Sequence, residues 1–135
     1  MERQSYGNGD RRMNVDKVDY KYQIKDEAQF KVPVIGYKVD EDYFSLNKFG
    51  TLTLKKGYAW DGATAAIDTK TFMDASAVHD ALYQLIREKH LPEALRIVAD
   101  QELKRMCIKA GMSAFRAQYV YLAVRAFGAI FARKS

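Results

Sequence analysis

The apolar residues of this chain change their spacing part way along it, and that change limits the fold more than any single residue does. Val18, Tyr20, Tyr22 and Ile24 alternate with Asp19, Lys21 and Gln23, and Phe30, Val32 and Val34 alternate again. A spacing of two is the signature of a half-buried strand. Pro33 denies the second run one ladder donor and predicts an edge or a bend. Gly36 separates that run from residues 37–39, and a further run at 43–46 is joined to 51–54 through Asn47, Lys48, Phe49 and Gly50, the composition of a hairpin. From Asp74 onward the spacing becomes three and four, the period of a helix. Residues 14–60 therefore read as a small, mainly antiparallel sheet and residues 74–135 as helices. Together they are expected to form one α+β domain behind a flexible leader at 1–13.

The helical half divides into three. A first helix is predicted over 74–88, with Asp74 as its N-cap. Leu91 and Pro92 mark the break, and a second helix runs to about Ala110 with Leu95, Val98, Ala99, Leu103 and Met106 at core spacing and Gly111 as its stop. The last helix, over 113–132, is aromatic and basic, carrying Phe115, Tyr119, Leu122, Phe127, Ile130 and Phe131. Arg116 and Arg125 interrupt it, and no run reaches the roughly 18 uncharged apolar residues of a membrane span. A core or interfacial helix is expected instead.

Charge is distributed unevenly. The formal net charge is +5, yet all 17 acidic residues lie at or before Glu102. From Leu103 onward Lys104, Arg105, Lys109, Arg116, Arg125, Arg133 and Lys134 stand without an acid, so the positive field belongs to the C-terminal third. Such a field favours a phosphate-bearing partner, although a solvated basic surface produces the same composition. A nucleic-acid role is disfavoured, because Arg116 and Arg125 fall on different sides of the helix and no reader motif is present. The one cysteine, Cys107, can form no intrachain disulfide and reads as a buried free thiol in a reducing compartment. Residues 1–9 contain no apolar run that would serve as a signal peptide.

Within the helices one constellation carries chemistry. His79 and Tyr83 are four residues apart and project from one helix face, whereas Asp80 points about 100° further round. A short connection makes neighbouring helices antiparallel, which brings Asp100 back alongside His79. Asp100 lies three residues from both Ile97 and Leu103, at the margin of an apolar face, so it is expected to be partly buried and to need a partner. An imidazole oriented by one carboxylate, with a second carboxylate beside it, is the equipment of a general base next to a hard cation. The same three side chains would equally serve as a buried polar network locking two helices. Before them, G-Y-A-W-D-G-A-T at 57–64 reads as the loop on the active side, or as a turn anchored by Trp60 with Asp61 capping backbone amides.

The group His79-Asp80-Ala81-Leu82-Tyr83, answered by Ala99-Asp100 and preceded by a glycine-containing loop, resembles the site of calcium-dependent phospholipase A2 enzymes. It is most similar to the disulfide-free phospholipase segment of parvovirus minor capsid proteins. The resemblance implies a phospholipase A2-like helical pair, with His79 as the base that deprotonates water, Asp100 as its orienting partner and Tyr83 as a donor to Asp100. It also implies calcium on Asp80, completed by the loop at Trp60, Asp61 and Gly62. The loop lacks the tight glycine cluster of those enzymes, and Asp61 has no counterpart in them. Either Asp61 supplies an oxygen in place of the missing carbonyls, or the metal site is degenerate.

A wider stretch, from about Tyr20 to Gly128, resembles a family of small phage and prophage proteins that share a W-D-G-A or W-D-G-S loop, H-D-x-L-Y, A-D and a late aromatic helix. This implies a phage or prophage origin rather than an activity, and with that origin a location in host cytoplasm or virion and other phage proteins as partners. Contact with a phospholipid or anionic membrane surface is expected instead from the aromatic, acid-free C-terminal helix. The functional expectation is a calcium-dependent lipid ester hydrolase, with a non-enzymatic structural or accessory protein as the alternative.

Overall fold

Alternation at period two is realised as short antiparallel strands: β1 (Glu2–Ser5), β2 (Asn14–Val18), β3 (Lys21–Ile24), β4 (Ala28–Lys31), β5 (Val39–Asp40), β6 (Phe44–Leu46), β7 (Thr51–Leu54) and β8 (Ala59–Trp60). The computed structural model describes residues 2–5, 14–18, 21–60 and 72–133. It divides the chain into two units, Met1–Ala63 and Thr64–Ser135. The first holds the strands and the second the helices, which is the α+β arrangement expected.

The strands form two four-stranded sheets, β1-β2-β3-β8 and β4-β7-β6-β5, rather than one. Period two sets the faces: on β7, Leu52 and Leu54 are fully buried while Thr51 and Thr53 are half-exposed, and they pair across with Leu46 and Phe44 of β6. The β6–β7 connection is the expected hairpin, closed by the Asn47 Oδ1, which accepts from the amides of Phe49 at 3.0 Å and Thr51 at 2.9 Å. The chain leaves this second sheet at Gly57, whose φ of 94° favours glycine and whose amide donates to the Ile24 carbonyl at 3.0 Å. That turn returns β8 to β3, where Trp60 pairs with Tyr22.

Three expectations are corrected. The alternation from Val18 to Ile24 is not one strand, because Val18 ends β2 and pairs with Lys21 at the start of β3. Residues 2–5, read as part of the leader, form β1, whose backbone groups pair with β2. Of the run Phe30, Val32 and Val34 only Phe30 lies in a strand: β4 ends at Lys31, the Val32 amide still donates to the Gly50 carbonyl at 2.8 Å, and Pro33 then removes a donor.

The second unit contains α1 (Met73–Arg87), a 3-10 turn at Glu93–Leu95, α2 (Arg96–Lys109) and α3 (Ala114–Arg133), each α-helix packed on the other two. Asp74 is not the N-cap of α1. Phe72 holds that position without a side-chain cap, and Asp74 lies in the first turn, where the helix dipole favours a carboxylate. α1 ends before the Leu91-Pro92 break: the His90 amide donates to the Leu85 carbonyl at 2.9 Å and the Lys89 amide to that of Ile86 at 3.0 Å. This is a Schellman closure with Lys89, at φ 69°, in the place usually held by glycine. Phe72, Ala75, Leu103, Cys107, Met112, Ala117 and Val120 form a core joining all three helices. Burial there pushes the Cys107 thiol up to about 11, so it is an inert packing group. No helix among the described residues is long and apolar enough to cross a membrane.

Candidate active site

The absence of glycine and proline from α1 and α2 keeps both helices regular, so helical spacing alone decides which side chains meet. His79 and Tyr83, one turn apart on α1, lie against each other with ring centroids 4.2 Å apart. Asp100 enters from the second turn of α2 and is 0% exposed, more deeply buried than its place at the margin of an apolar face predicted. Its Oδ1 is 2.7 Å from His79 Nε2 and accepts from the Tyr83 hydroxyl at 2.5 Å. The structure thus brings together His79, Tyr83 and Asp100.

Two further residues belong to the cluster. Arg125 of α3 donates to Asp100 Oδ2 at 2.9 Å, and Arg96 lies 3.6 Å from the same oxygen while donating to the carbonyls of Val124 and Arg125 at 3.3 and 3.4 Å. Asp100 is therefore held by side chains from all three helices. Burial alone would raise its carboxyl, but the hydrogen bonds from His79, the Tyr83 hydroxyl and Arg125 outweigh that and hold it below the ordinary carboxylate value. Burial first, and then the hydrogen bond to Asp100, push the Tyr83 phenol well above its usual value. Tyr83 is a neutral donor and Asp100 an anionic acceptor.

That electrostatic setting fixes the tautomer of a neutral His79. A carboxylate can only accept, so Nε2 carries the proton and Nδ1 bears the lone pair. His79 is 3% exposed, and Nδ1 has no hydrogen-bond partner among the described residues. A buried acceptor left without a partner is costly unless something uses it. An oriented imidazole of this kind can take a proton from a water or hydroxyl delivered to Nδ1.

Gly128 explains how α3 comes close enough for Arg125 to reach Asp100. A Cβ built there would overlap the Tyr83 hydroxyl and approach its ring carbons to 3.0 Å. Sequence reasoning missed this glycine and both arginines. Arg125 entered as an interruption of the last helix and as part of its basic field, and nothing local to that helix pointed it at Asp100. Arg96 carried a plainer signal, because it precedes Asp100 by one helical turn.

The proposed metal residues fare differently. Asp80 is half-buried on α1, turned about 100° from His79 by the helix. Trp60 belongs to the first unit, where its ring stacks on Tyr58 at 6.0 Å and tilts against Tyr22 at 5.7 Å. Its buried Nε1 has no partner among the described residues. Asp61 and Gly62 lie outside the described residues. Calcium takes about six to eight oxygens. Of the described residues assigned to it, Asp80 alone has a side-chain oxygen, and one carboxylate does not make a calcium shell. Comparison with family models, curated proteins and solved structures finds no match for this chain.

Proposed function

We propose that this protein is a phospholipase A2-like lipid ester hydrolase of phage or prophage origin, with His79 as its general base. The observation that carries the reading is the two-sided state of one imidazole: Nε2 is 2.7 Å from a buried carboxylate, while Nδ1 is buried and unpaired among the described residues. Water held at Nδ1 gives up a proton as its oxygen attacks the ester carbonyl. Asp100 stabilises the imidazolium through Nε2–H. As the tetrahedral intermediate collapses, the imidazolium returns the proton to the departing alcohol oxygen, releasing a fatty acid and a lysophospholipid. Tyr83, Arg96 and Arg125 keep the Asp100 carboxylate ionised and immobile through that cycle. Calcium dependence would enter through Asp80, and the proton transfers above do not draw on it.

A second reading rests on the same burial. With His79 at 3% exposure and Asp100 at 0%, the cluster also suits an accessory protein whose polar network locks three helices. Fatty-acid release from mixed liposomes separates the two. Purified wild type should exceed His79→Gln by about 10²- to 10⁴-fold, the ordinary contribution of a positioned base. A chelator tests the metal, and Asp80→Asn should lower calcium binding and turnover together. Wild-type release no greater than that of His79→Gln at millimolar calcium would replace the enzyme reading with the accessory one.

A further inference from the structure

α3 has two apolar faces, and only one of them is covered. Ala117, Val120 and Gly128 are buried in the helical unit. On the opposite side Phe115, Tyr119 and Leu122, spaced as i, i+4 and i+7, are 87%, 64% and 55% exposed, with Phe127 also out in solvent. The stripe extends about 10 Å along the helix, since each residue rises about 1.5 Å, and Phe127 lies further along and about 120° round from Phe115. Contiguous exposed aromatic surface of this kind marks a contact site.

We propose that this face of α3 docks on an anionic phospholipid surface. The proposal rests on the lipid-hydrolase reading and deepens it by naming the surface from which substrate is taken. Charge selects the occupant. No acid follows Glu102 in the sequence, and exposed Lys109 and Arg116 lie at the end of α2 and beside Phe115. A second copy is disfavoured, because a two-fold contact sets the patch against itself and α3 has no acid to answer its arginines. A lipid surface answers both features: the apolar stripe enters the acyl boundary and the cations meet phosphate headgroups. The covered face of the same helix carries Arg125 on Asp100 and Gly128 against Tyr83. Docking would therefore place the base roughly one helix diameter, about 10 Å, from the headgroups.

Cosedimentation of the full chain with phosphatidylcholine vesicles, with and without phosphatidylglycerol, tests this. Binding should favour the anionic vesicles and weaken from about 0.01 to 0.1 M ionic strength, as the screening length falls from about 30 to 10 Å. Phe115→Ser combined with Leu122→Ser should reduce binding by about tenfold or more, given the apolar area withdrawn from the lipid. Its circular-dichroism spectrum should be unchanged, because both sites are exposed. His79→Gln should bind as wild type does, so a failed hydrolysis assay and a failed docking assay are separate results. Equal binding to neutral vesicles, undiminished binding of the double variant, or a solution dimer abolished by the same two substitutions would overturn the proposal.

Discussion

α1 and α3 are both rich in apolar residues, and they dispose of them in opposite ways. α1 buries almost its whole circumference, including Leu82, Leu85, Ile86 and the polar His79 and Tyr83. Among its described side chains, α3 buries Ala117, Val120 and Gly128 and leaves Phe115, Tyr119, Leu122 and Phe127 outside. The difference lies in what each contact must accommodate. For Arg125 to reach a carboxylate on α2, and for the Tyr83 hydroxyl to fit beneath α3, the contact face of α3 has to be thin, so Ala117 and Gly128 stand where phenylalanine would hold the helices apart. Burial here follows from the polar cluster as much as from hydrophobicity.

The largest effect expected from breaking that arrangement is at Asp100. Asp100→Ala leaves Arg96, Arg125, His79 and Tyr83 facing a hole, and should cost about 3–5 kcal/mol in denaturant unfolding. The wild type also carries a pH signature of this residue. Because the folded carboxyl is held low, its contribution is full above the unfolded value of about 3.9 and is lost as pH falls through the lower folded value. An Asp100→Asn protein should show a flatter stability curve across that acid range. Next comes Gly128→Ala, which should cost about 1–3 kcal/mol because α3 must retreat from Tyr83. Adding Tyr83→Phe should recover part of that loss, and simple additivity would mean the two do not touch. The smallest effect is expected at the outer stripe, where Phe115→Ser should change stability by no more than about 0.5 kcal/mol. A loss there as large as that of Gly128→Ala would erase the contrast between the two faces.

Much of this was legible beforehand, for identifiable reasons. The i, i+4 spacing of His79 and Tyr83 is local, so any regular helix puts them together, and Asp100 follows once a short connection returns the chain. The hairpin at Asn47 and the end of α2 at Gly111 depend on single residues with strong backbone preferences. What escaped were features set by contacts distant in sequence. The division into two sheets depends on a turn at Gly57 that sends β8 back to β3. Arg125 and Gly128 acquire meaning only when α3 lies across α1 and α2. The outer aromatic stripe was seen as apolar residues, but nothing local distinguishes an uncovered helix face from a covered one.

The division of labour on the Asp100 carboxylate has a dynamic consequence. One oxygen serves α1 through His79 and Tyr83, and the other serves α3 through Arg125. No helix of the three can detach alone without stripping hydrogen bonds from the buried Asp100 carboxylate, so partial opening carries a penalty of its own. The amides in the middle turns of all three helices should then exchange with solvent through one shared event, and a base tied to that event stays aligned until the whole helical unit gives way.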